Sequence, residues 1–269
     1  MVKKTKGFTL IELLVVISII ALLVSILMPA LSKARQNAKF LICKTRQRSI
    51  VQAVNLFQAE NDGDLPPSTQ GRTNGWQTIP MRLKYYYGMD GANGGSVIDV
   101  LGTYMKNVDV FDCPLAKHNP DWQKKYFHSM KNDSVQFMNC SYYLLWNWTK
   151  CEDAGPNGRK GFKPTKSGKD GLMVCDFLIY NESVNNGAHN GTFWISPHPW
   201  KNASLKTFMD ASGTLDDGFK FWMADDPSGQ DKPQMQMAAG YIDGRVDTVH
   251  SDDYEYVSTG GYLLPKVLK

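Results

Sequence analysis

The chain has no Gly-x-Ser-x-Gly, no His-Glu-x-x-His, no phosphate loop and no dinucleotide fingerprint, which excludes at motif level the hydrolase elbow, the helical zinc-protease site and the nucleotide cradles. Its five cysteines, Cys43, Cys113, Cys140, Cys151 and Cys175, include no Cys-x-x-Cys pair, so zinc ribbons and thioredoxin-like centres are excluded as well. His118, His128, His189, His198 and His250 are scattered without ligand spacing, and no metal centre is expected from them. The acidic pairs Asp216-Asp217, Asp225-Asp226 and Asp252-Asp253 bring no second catalytic group with them. Gly88 to Gly95 lacks a Lys-Ser/Thr ending and reads as a loop. No catalytic residues are expected, and no enzyme.

Positive charge is missing where a nucleic-acid surface would need it. The chain has 269 residues, room for one good-sized domain or two small ones, and a formal charge of +4. Nine Lys and Arg face three Asp and Glu in residues 1–63, leaving twenty-one against twenty-three in residues 64–269. The larger part is slightly acidic, and no nucleic-acid partner is expected.

What is present is concentrated at the start. Residues 8–31, FTLIELLVVISIIALLVSILMPAL, are an apolar run interrupted only by Glu12 and preceded by Lys3, Lys4 and Lys6. As a helix this run is about 36 Å long, enough to cross a hydrocarbon core of about 30 Å. Against a secretory signal peptide stand the length, the poor Ala30-Leu31-Ser32 cleavage candidate and the charge inside the run. A carboxylate within a membrane span costs about 2.5–3.5 kcal/mol or more and marks function. Glu12 therefore needs a cationic partner at its own depth.

The segment Lys-Gly-Phe-Thr-Leu-Ile-Glu-Leu-Leu-Val-Val-Ile, residues 6–17, closely resembles the prepilin-type signal of type IV pilins and type II secretion pseudopilins. The resemblance implies cleavage between Gly7 and Phe8 by a prepilin peptidase, N-methylation of Phe8, Glu12 neutralising the amino terminus of an incoming subunit, and Pro29 as the helix-bending proline. It implies partners too: the peptidase, other pilin-like subunits through the N-terminal helix, and a membrane. The chain would be a single-pass inner-membrane protein with its head in the periplasm or on the cell surface. Six cations after the span, Lys33, Arg35, Lys39, Lys44, Arg46 and Arg48, oppose this orientation under the positive-inside rule and would then meet lipid phosphates or neighbouring stems.

No proline or glycine occurs between Leu31 and Glu60, and Ile50, Ala53, Val54 and Phe57 follow helical spacing, so the span continues as an amphipathic stem to a glycine cap at Asn61-Asp62-Gly63. Expected strands follow at 134–148, 171–180, 192–195, 219–224 and 235–249, the last folded at Asp243-Gly244 as a type I′ hairpin. The expected fold is α+β and pilin-like, a long N-terminal helix packed on a β-rich head. Its parts are a leader at 1–7, a transmembrane half at 8–31, a stem at 32–63 and an exported head at 64–269.

Scattered stretches, Val108-Asp-Val-Phe-Asp-Cys-Pro, Cys140-Ser-Tyr-Tyr, Val174-Cys-Asp and Gly240-Tyr-Ile-Asp-Gly-Arg-Val, resemble a longer pseudopilin-like group of planctomycete and lentisphaera-type bacteria. That group places a histidine ten residues before Asp-Gly, where this chain has Pro233, and His189 is the candidate for a displaced equivalent. An exported head makes one or two disulfides among Cys113, Cys140, Cys151 and Cys175 plausible, with the pairing open. Calcium is a weak candidate ligand for the oxygen-rich loop 210–217, where the twelfth EF-hand position holds Phe221 instead of glutamate. A rival to the filament subunit is a glycan- or ligand-binding protein displayed through the prepilin-type helix, its tryptophans Trp76, Trp122, Trp146, Trp148, Trp194, Trp200 and Trp222 stacking on sugars.

Overall fold

The computed structural model describes residues 8–66, 82–85, 97–105, 107–118, 137–146, 171–181, 193–209, 215–226, 232–256 and 262–265. A single helix, α1, runs from Leu10 to Glu60. Its 51 residues correspond to about 76 Å. The helix passes through Pro29 unbroken, although that residue has no N–H for the Ser25 carbonyl one turn below. It ends where Asp62 and Gly63 take positive φ and the Gly63 N–H turns back to the Gln58 carbonyl at 2.9 Å.

The two halves of α1 differ in what surrounds them. From Phe8 to Leu31 every side chain is exposed, whereas Cys43, Gln47, Ile50, Val51, Ala53 and Val54 are buried. That second set recurs at three- and four-residue steps and so forms one stripe, joined at its edges by the partly buried Phe40 and Phe57.

The stripe packs on antiparallel sheet. The elements after α1 are β1 (Arg82–Tyr85), α2 (Val97–Leu101), a 3₁₀ turn (Val108–Phe111), β2 (Lys117–His118), β3 (Phe137–Asn139), β4 (Tyr142–Leu144), β5 (Leu172–Asp176) and β6 (Leu178–Asn181). They continue with β7 (Phe193–Ser196), β8 (Ser204–Met209), β9 (Leu215–Asp225), β10 (Gln236–Tyr241), β11 (Val246–His250), β12 (Tyr254–Tyr256) and β13 (Tyr262–Pro265). One sheet has the order β11-β10-β5-β4, a larger one the order β12-β13-β6-β7-β9-β2 with β8 also on β9, and β1 pairs with β3. The long helix on a β-rich head is the expected α+β, pilin-like architecture.

The stem meets the first sheet at β10 and β5. Gly240 makes this approach feasible: a Cβ there would lie 2.8 Å from Val174 Cγ1 and 3.3 Å from Val51 Cγ2. One core joins the stem stripe to Tyr142, Tyr143, Trp146, Val174, Phe177 and Ile195. A second, around Leu178, Tyr180, Trp194, Met237, Tyr254 and Leu263, fills the other face of the larger sheet's end.

Three strand expectations are corrected in detail. Within 134–148 the described residues, 137–146, hold two short strands, β3 and β4, and 171–180 divides at Phe177 into β5 and β6, which belong to different sheets. The hairpin at Asp243-Gly244 is not type I′, because only Gly244 has positive φ. The Asp243 carboxylate instead accepts the Arg245 N–H at 2.9 Å and the Gly244 N–H meets the Tyr241 carbonyl at 2.9 Å, a turn that needs one left-handed residue.

Candidate functional site

Two places in the fold concentrate chemistry. The first is the start of α1. Thr9 is extended and caps the helix: its Oγ1 accepts from the Glu12 N–H at 3.3 Å, while Glu12 Oε2 accepts from the Thr9 N–H at 2.9 Å and from the Thr9 hydroxyl at 2.7 Å. This reciprocal capping box satisfies two backbone donors that a helix start otherwise leaves bare. Phe8 stands immediately before it, 71% exposed. Gly7 lies outside the described residues, so of the predicted processing and assembly residues the structure places Phe8, Glu12 and Pro29. Ser18 and Ser25 return their hydroxyls to the carbonyls of Leu14 and Leu22 and expose no unpaired donor to the apolar surround.

The second place is the seam between stem and head, and sequence reasoning missed it. Cys43 and Gln47 lie one turn apart on α1, Cys113 follows the 3₁₀ turn, Asp176 closes β5, and His198 follows β7. All five are buried, at 0% exposure for Cys43, Gln47 and Asp176, 1% for Cys113 and 2% for His198. The ligand atoms of Cys43, Cys113 and His198 lie within 4.8 Å of one another.

His198 is oriented by its Nδ1, which sits 2.7 Å from the Gln236 carbonyl and so carries the proton. Its Nε2 is 3.3 Å from Asp176 Oδ2, an ion-pair distance at which no hydrogen bond is formed. Asp176 is held from both sides, Oδ1 accepting from Gln47 Nε2 at 2.9 Å and Oδ2 from the Ala238 N–H at 2.6 Å. Burial alone would push the His198 imidazole down, but the Asp176 carboxylate, Cys113 and the Gln236 carbonyl outweigh it and hold the group up at about 10. At Asp176 burial pushes the carboxyl up, opposed by His198, Ala238 and Gln47. Both partners of the pair are thus displaced upward, the histidine because a carboxylate faces it 3.3 Å away. The Cys113 thiol is raised by burial and by Cys43, with His198 pulling the other way.

The loop carrying Cys113 is pinned to its surroundings. Arg46 Nη1 donates to the Asp112 carbonyl at 2.8 Å, the Tyr142 hydroxyl to the same carbonyl at 2.7 Å, and Trp222 Nε1 to the Leu115 carbonyl at 2.8 Å. Phe40 stands edge-on to the His198 ring, centroids 5.5 Å apart.

Cys43, Cys113, Cys140 and Cys175 are buried free thiols in this structure, and Cys151 lies outside the described residues. Of the six post-span cations, Arg46 is bound as above and Lys44 donates to Thr248 Oγ1 at 3.1 Å, both to partners among the described residues. His189 and residues 210–214 of the candidate calcium loop are also outside the described residues. His198 reaches the hairpin sheet through Gln236 at the start of β10, and His250 lies within that sheet, at the end of β11 opposite the same residue. Trp146 and Trp194 are buried, and Trp200 and Trp222 half-buried, so these four offer no open stacking platform; Trp76, Trp122 and Trp148 are not among the described residues.

Comparison with known proteins agrees with the helix start. The prokaryotic N-terminal methylation motif family matches residues 2–28. Over 60 residues, 22% of this chain, the sequence is 40% identical to the type IV wide pilus major component PilA4 of Thermus thermophilus, of which the match covers 46%. The chain thus spans about half the length of that relative. No solved structure matches. The motif and the long apolar helix make the N-terminal part of this chain similar to a type IV pilin.

Proposed function

We propose that the chain is a structural subunit, major or minor, of a type IV pilus-like or type II secretion pseudopilus-like assembly, and not an enzyme. The observation that carries this reading is the apolar half of α1, exposed on every face from Phe8 to Leu31 and entered through the methylation motif. A helix apolar all round needs a membrane or other helices about it, and this one has both in turn: lipid before assembly, sister helices after it. Prepilin peptidase cuts between Gly7 and Phe8 on the cytoplasmic side, Phe8 is methylated, and the head lies in the periplasm or at the cell surface. The leader, the membrane half, the stem and the head are then residues 1–7, 8–31, 32–63 and 64–269.

The test is the mass of the mature chain recovered from envelopes. An amino terminus at Phe8 carrying one methyl group is expected. A terminus between Ala30 and Lys33 would make the segment an ordinary signal peptide, and an intact Met1 would make it an unprocessed anchor.

A further inference from the structure

We propose that Cys43, Cys113, His198 and Asp176 form a tetrahedral site for a zinc-class divalent cation that clamps the stem helix to the head. Three donors of the types such ions select, two sulfurs and an imidazole nitrogen, lie within 4.8 Å of one another from three separate segments, and a fourth, the Asp176 carboxylate, lies 3.3 Å from the imidazole nitrogen. In a tetrahedron with metal–sulfur bonds near 2.3 Å and metal–nitrogen and metal–oxygen bonds near 2.0 Å, sulfurs lie about 3.8 Å apart and nitrogen and oxygen about 3.3 Å. His198 Nε2 and Asp176 Oδ2 are already at 3.3 Å, and the three-residue cluster, within 4.8 Å, needs to close by about 1.3 Å at most.

The outer partners are those a ligand set requires. The Gln236 carbonyl fixes the imidazole so that Nε2 faces the cluster, and Gln47 with the Ala238 N–H fixes the carboxylate. Nε2 is buried, makes no hydrogen bond and stands 3.3 Å from the Asp176 carboxylate, and a cation at this point would be bound by both. A Cys43–Cys113 disulfide would leave Nε2 as it is. Binding displaces the thiol protons and any proton on Nε2 to solvent, and two thiolates with one carboxylate leave the site at a net charge of about −1.

The inference does not depend on filament assembly, because it is read on single chains. The full-length chain, purified in detergent without chelator, is analysed for metal and then, after chelation, titrated with cobalt(II). Stoichiometric zinc, a thiolate-to-cobalt charge-transfer band and the visible bands of a tetrahedral ion are expected. Cys43→Ser and His198→Gln should each weaken binding by more than the roughly 10–100-fold that loss of an outer partner costs. Cys140→Ser, a buried thiol bonded to the Tyr142 carbonyl, should leave the spectrum unchanged. Because a ligand variant can also fail by misfolding, the wild-type chain carries the decision: a metal-free protein giving no cobalt–thiolate band overturns the site. So does recovery of a Cys43–Cys113 disulfide from envelope-derived protein denatured and alkylated without reductant.

Discussion

Glu12 has an intrachain partner before any subunit arrives, since its carboxylate closes the capping box on Thr9. This makes the choice of substitution decisive. Glutamine serves the same box as glutamate, so Glu12→Gln retains the cap and removes only the charge, whereas Glu12→Ala removes both. The Glu12→Gln protein should insert and be cleaved normally, given the cost of a carboxylate in hydrocarbon, but be depleted from sheared filaments or cross-linked oligomers. Its normal incorporation would remove the charge-pairing role and leave Glu12 as a helix cap. At the seam, Gln47→Ala takes one hydrogen bond from the buried Asp176 carboxylate and should destabilise the chain by about 1–3 kcal/mol, read from thermal unfolding in detergent. Gln52→Ala, on the exposed side of the same helix, should stay within about 0.5 kcal/mol. Glu12 was legible in the sequence because its meaning is local, one charge in a long apolar run. The seam was not. Cys43, Cys113, Asp176 and His198 are far apart in the chain, and spacing rules detect only ligands that share an element.

Among the elements, the second half of α1 was legible for the same local reason: no glycine or proline between Leu31 and Glu60, then a three-and-four repeat. Cys43 and Gln47 belong to that repeat, but a thiol and an amide do not register in a search for aliphatic side chains. The five expected strand segments were legible as apolar stretches and not as separate strands, while β1, β2, β8, β12 and β13 were not anticipated. What divides β5 from β6 is the change of sheet at Phe177, a tertiary event with no turn residue to announce it. The Asp243-Gly244 turn was found and mistyped, since the sequence does not reveal that the Asp243 side chain substitutes for a second left-handed residue. Helix-on-sheet contact turns on one glycine. Gly240→Ala drives a methyl into Val174 and Val51, both β-branched and unable to swing away, and overpacking of this kind costs about 1–3 kcal/mol. The expected result is a lower unfolding temperature with the stem more open to protease, and partial recovery in the double variant Gly240→Ala/Val51→Ala. No change in either would mean that stem and sheet are not in close contact at β10.

At the scale of the whole molecule, the head grips α1 only over its second half, from Phe40 to Phe57, while everything N-terminal to that grip is bare helix. Since α1 is continuous, the angle at which the head faces is geared to the phase of the buried shaft. Each residue advances that phase by about 100° and lifts the head by about 1.5 Å. One alanine inserted between Ser32 and Lys33 should therefore swing the head's lateral contacts by about 100° and abolish ordered assembly while folding and processing continue. Seven inserted residues turn the shaft by only about 20° short of two full revolutions and raise the head by about 10 Å. They should restore assembly at a larger radius, visible as a wider fibre in negative stain. If the single-residue insertion assembles as well as the parent, the shaft does not set the head's bearing, and a flexible joint lies between membrane and grip.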